Sequence, residues 1–77
     1  MTGRIAQLIH DQEFGTIVGD DGQTYLFEGR SLKGVMFAIL AIGAYVSFEP
    51  LIIGEQIRRA EKVWLDPRPT KPRTDGG

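Results

Sequence analysis

Cysteine is absent from this chain, which excludes disulfides and thiolate-held metals as sources of stability. Histidine occurs once, at His10, and no nucleophile motif or phosphate-binding glycine loop is present, so the common hydrolytic and phosphoryl-transfer arrangements lack their parts. His10 reads as an exposed turn residue rather than a base. His10, Asp20 or Asp21, and Ser31 are the residue types of a triad, but nothing in their spacing supports one. Asp20-Asp21-Gly22 lacks the further ligands of a calcium loop. These absences lead to the expectation of a binding module rather than an enzyme, with no cofactor and no metal.

Long apolar runs are also missing. The longest, Val35 to Val46, holds twelve apolar or glycine residues, too few to cross ~30 Å of hydrocarbon. Met1 to Ile9 has neither the basic start nor the apolar stretch of a secretory signal. No membrane association and a cytoplasmic location are therefore expected. An excess of positive charge is lacking as well. Residues 1–65 carry six Lys or Arg against eight Asp or Glu, a net of −2, while residues 66–77 carry three against two, a net of +1. A strongly basic domain would announce a nucleic-acid binder on charge alone, and this chain does not. Residues 66–77 contain three prolines, two glycines and no aliphatic residue, so they are expected to form a disordered tail.

What is present suffices for one small domain: 77 residues, 42% of them hydrophobic. Apolar runs alternate with turn signals, and no stretch before Leu32 keeps a helical period. A first strand is expected over 3–10 and a second over 14–19, followed by Asp20-Asp21-Gly22, a hairpin signal because glycine tolerates positive φ. A third strand over 23–28 alternates so that Tyr25 and Phe27 face a core while Thr24, Leu26 and Glu28 face away. Ala44, Val46 and Phe48 repeat that period in a fourth, where Pro50 marks an end or an edge. Gly54 signals a turn before a fifth strand over 55–64, with Ile57, Ala60 and Val63 as its packing residues. Their spacing of three requires a bulge or a helical turn. A meander of three strands, a long connection and two more strands is the order of an all-β, five-stranded OB-type barrel over residues 1–65.

Gly3, Ile5, Phe14-Gly15, Ile17, Asp20-Asp21-Gly22, Tyr25-Leu26-Phe27, Ser31-Leu32, Gly34, Phe37, Leu40, Gly43, Val46, Phe48-Glu49, Ala60 and Val63 follow one another in the order and spacing of a known family. Over residues 3–63 the chain resembles the cold-shock domains. The resemblance implies an OB-type barrel that binds single-stranded RNA or DNA on aromatic and basic side chains of its first three strands. Much of that surface is replaced here. The family's Lys-Trp-Phe on the first strand falls on Ala6, Gln7 and Leu8, and its Lys-Gly-Phe-Gly-Phe-Ile falls on Gln12, Glu13, Phe14, Gly15, Thr16 and Ile17. The third-strand pattern falls on Tyr25, Leu26, Phe27, Glu28 and Gly29. Phe14 alone remains as a stacking aromatic.

Each stacked base contributes about 1–3 kcal/mol, so losing three or four platforms removes roughly 3–10 kcal/mol, against about 8 kcal/mol for an entire micromolar complex. Glu13 and Glu28, placed where phosphates approach, add repulsion. Binding is thus expected to be weak or redirected. The replacement candidates are Arg30 and Lys33 in the long connection and Arg58, Arg59 and Lys62 on the fifth strand, each of which also serves simple solubility. The connection supplies a second possibility. Phe37, Leu40 and Gly43 match family core positions, whereas Ala38, Ile39, Ala41 and Ile42 replace residues that are usually polar. Exposed, Met36, Ile39 and Ile42 would form an apolar patch for a protein partner or a homodimer. The alternative is a short buried helix, with Phe37, Leu40, Ala41 and Ala44 plugging one barrel end.

Overall fold

The computed structural model describes residues 1–66. Five strands, β1 (Thr2–Ile9), β2 (Phe14–Gly19), β3 (Thr24–Glu28), β4 (Tyr45–Ile53) and β5 (Ile57–Leu65), are joined by turns and three single 3₁₀ turns. They close into a barrel in the order β1-β2-β3-β5-β4. All neighbours are antiparallel except β3 and β5, which meet in parallel at Leu26 and Arg59. This is the OB-type order expected from the sequence, and closure satisfies edges that no α-helix among the described residues covers. The disordered tail expected over 66–77 lies outside the described residues apart from Asp66, whose amide donates to the Tyr45 carbonyl at 3.1 Å. No described helix is long and apolar enough to cross a membrane.

Alternation along each strand supplies the core. Ile5, Ile17, Tyr25, Phe27, Val46 and Phe48 are buried, with Ala60 and Val63 facing them from β5. The spacing of three between these last two is a bulge. Ser47 and Glu49 of β4 face Trp64 and Glu61 of β5, so two residues of β5, Lys62 and Val63, oppose one of β4, Phe48. Lys62 absorbs the extra length at φ +52°, and the shift returns Val63 to the interior. Ile57 does not join the core as expected. It lies at 48% exposure, because β4 and β5 continue past the barrel as a two-stranded ribbon with no third layer among the described residues to cover it.

Pro50 lies within β4 rather than ending it. The Phe48 amide donates to the Met1 carbonyl at 2.8 Å, so residue 48 directs its polar groups toward β1. Residue 50 points to the same side, beyond the end of β1. Among the described residues the missing proline N–H therefore faces no neighbouring strand and costs no ladder bond.

The 20–23 turn is held by one carboxylate. Asp21 accepts from the Gln23 amide at 2.9 Å and from the Tyr25 hydroxyl at 2.7 Å, while Gly22 turns at φ +81°. The Tyr25 hydrogen bond, then the Gln23 amide, hold the Asp21 carboxyl below its usual 3.8. A carboxyl depressed in the folded state adds stability that is present above its unfolded pKa and lost as pH falls through the folded one. Asp21→Asn is therefore expected to lower the urea midpoint at pH 7 and to differ little from wild type at pH 2. An equal deficit at both pH values would show that the charge is not what matters.

Candidate nucleic-acid interface

Phe14 opens β2 and pairs across the ladder with Glu28, the last residue of β3. Its ring is half-buried. The chain reaches it through a 3₁₀ turn, His10–Gln12, and leaves Glu28 through another, Gly29–Ser31. Between these turns lies an open hollow of about 400 Å³, lined by Gln12, Glu13, Phe14, Glu28, Gly29 and Arg30. Its volume lies within the range of small-molecule sites, though it is open on one side. An aromatic ring with carboxylates and a guanidinium around it can stack a flat heterocycle and hydrogen-bond its edge.

The charges around this hollow are largely matched. Arg30 Nε lies 2.6 Å from Glu28 Oε1, and Arg59 lies 3.4 Å from Glu28 Oε2 and 3.3 Å from Glu61 Oε2. Glu28 therefore repels phosphate far less than its position in the sequence suggests, and Arg30 and Arg59 are correspondingly less available to attract it. Ser31, buried beneath, donates to Glu61 at 3.3 Å.

The six expected nucleic-acid residues do not form one patch. Phe14 and Arg30 line the hollow, and Arg59 joins them through Glu28. Lys62 sits at the bulge, 3.9 Å from Glu49. Arg58 is on the ribbon opposite Ile52 and acts electrostatically on Asp21. Lys33 is tied by its backbone amide to the Val63 carbonyl at 2.7 Å, with its side chain exposed and without an ion pair among the described residues. A further cation escaped sequence reasoning: Arg4 lies over the Tyr45 ring, 4.6 Å from its centroid, and donates to the Tyr45 hydroxyl. These residues are forty-one apart, and only the β1–β4 closure brings them together.

The apolar connection divides between the two expectations. Phe37 and Leu40 are buried, and Phe37 packs against Phe27 and edge-on against His10, with centroids 6.0 and 5.5 Å away. They close the barrel end through a single 3₁₀ turn, Phe37–Ile39, where a longer helix was the alternative. Ala44 is half-buried, whereas Ala41 is exposed and takes no part in the plug. Met36, Ile39 and Ile42 point outward at 70%, 66% and 68% exposure. At the other end of β1, beyond Met1, the ribbon exposes Leu51, Ile52, Ile53 and Ile57. That second apolar surface had one signal in the sequence, the unalternating Leu51-Ile52-Ile53 after Pro50. No protein-family model and no curated protein matches this chain.

Proposed function

We propose that this barrel is a weak, cold-shock-like binder of single-stranded nucleic acid, acting in the cytoplasm and without catalytic function. One observation carries the reading: the half-exposed Phe14 ring stands in an open hollow with Arg30 at its rim. The closed OB-type barrel and the resemblance over residues 3–63 support it. Weakness follows from a single stacking ring, worth about 1–3 kcal/mol per base, and from cations already matched by Glu28, Glu61 and Glu49. Dissociation constants above roughly 10 μM are expected for generic single strands at physiological salt. In amide NMR titrations the shifts should cluster on Phe14, Gly15 and residues 28–30, and Phe14→Ala should remove them. Submicromolar binding centred on Gln7, Thr16 and Leu26 would refute this reading.

The outward Met36, Ile39 and Ile42 favour a second one, a protein-interaction or self-association module. Burying a large aliphatic side chain contributes about 1.5–3 kcal/mol, or some 60–120 Å² at 25 cal/mol per Å². Three side chains two-thirds exposed thus offer roughly 200 Å², against about 800 Å² per partner in a standard interface. Such a patch sustains a transient contact or the edge of a larger one. Analytical ultracentrifugation is expected to show a monomer at micromolar concentration and association only toward millimolar, suppressed by the double change Ile39→Lys and Ile42→Lys. A monomer throughout would leave only a different protein as partner for this patch.

A further inference from the structure

We infer that the hollow beside Phe14 selects guanine among the nucleobases, through the carboxylate of Glu13. The inference rests on the base-stacking reading above.

Glu13 is held in an unusual place. It is one of two non-glycine residues with positive φ among those described, at φ +48° and ψ +57°, a left-handed conformation that side chains other than Asn, Asp and His seldom adopt. Both of its backbone groups are engaged. Its amide donates to the His10 carbonyl at 3.2 Å, and its carbonyl accepts from the Gly29 amide at 2.7 Å. Its side chain lies against Gly29, where a Cβ would come within 2.7 Å of Glu13 Oε1. A larger residue at 29 would push this carboxylate, the far end of a flexible side chain, out of its present place.

The two acidic residues lining the hollow differ in what they can still do. Glu28 is engaged by Arg30 and Arg59. Glu13 has no ion pair among the described residues, so both of its oxygens can accept hydrogen bonds from a ligand. An ionised carboxylate is acceptor-only, and it binds best to two N–H donors side by side. Of the nucleobases, guanine alone offers this, with N1–H next to N2–H₂ on its Watson–Crick edge. Adenine and cytosine set one amine beside a ring acceptor, and uracil sets one N–H between two carbonyls. Phosphate is repelled by the same group. A base stacked on Phe14 with its edge toward Glu13 and its backbone outward satisfies all of these constraints.

The test titrates the intact chain with the RNA pentamers UUGUU, UUAUU, UUCUU and UUUUU, following amide shifts at low salt. UUGUU is expected to bind about tenfold more tightly than the others, within the range for one good bidentate contact. Glu13→Gln replaces one acceptor by a donor and should bring the four pentamers within about twofold of one another, while UUUUU affinity rises as the charge that repels phosphate is removed. Gly29→Ala retains the charge but displaces the carboxylate, and it should lower the preference independently. Equal binding of all four with shifts at Phe14, or a guanine preference that survives both changes, overturns the inference and leaves base stacking intact. If no pentamer shifts Phe14, the stacking reading fails and takes the inference with it.

Discussion

Phe27→Ala is expected to unfold most of the population at room temperature. Phe27 is fully buried and has Phe37 beside it, 6.0 Å between centroids. Removing a buried phenyl ring costs about 3–5 kcal/mol, and a single core of this size rarely supplies more than about 3–5 kcal/mol in total. No disulfide limits the unfolded ensemble. Far-UV circular dichroism should lose its β signature in the variant at pH 7, or show a urea midpoint close to zero. A loss below about 0.5 kcal/mol would match the cost of a surface change and place the ring outside the core.

Gly15→Val is expected to cost about 3 kcal/mol, the upper end of the range for overpacking. Gly15 has no need of positive φ. It is required because Gly15 and Phe27 face each other across β2 and β3 with no space between backbone and ring. A Cβ at residue 15 would lie 2.5 Å from the Gln7 carbonyl oxygen and 2.8 Å from Phe27 Cε1. The ring could turn by a small angle, but the carbonyl belongs to a paired strand and cannot. Adding Phe27→Leu to Gly15→Val should therefore recover little stability in urea melts. Full recovery would show that the ring, not the β1 backbone, sets the limit.

The barrel was legible because its signals are local. Period-two burial in 23–28 and 44–48 fixes which side faces inward, and glycine after Asp21 supplies the turn. The bulge was legible as an anomaly, since Ala60 and Val63 cannot both face inward on a regular strand. Ile57 departs from its expected place for a related reason. Extending the inward pattern backward assumes a core to face, and the ribbon leaves the barrel before reaching residue 57. Pro50 could mark either an end or an edge because the answer depends on how far β1 runs alongside β4, which residue 50 does not encode.

Composition and periodicity alone determined a small, disulfide-free, five-stranded barrel with Tyr25, Phe27, Val46 and Phe48 inside, since burial of alternating side chains is a property of each segment taken separately. Tertiary structure decided the site. Glu28 looks repulsive to phosphate in sequence, yet it is matched by Arg30, two residues on, and by Arg59, thirty-one residues on, because β3 and β5 meet in parallel. Glu13 and Gly29 are sixteen residues apart, and only the β2–β3 ladder lays one carboxylate in the space the other residue leaves. Pairing between distant strands sets which charges cancel and which remain free, and Coulomb interactions at 3–4 Å are large enough to reverse what a single segment suggests.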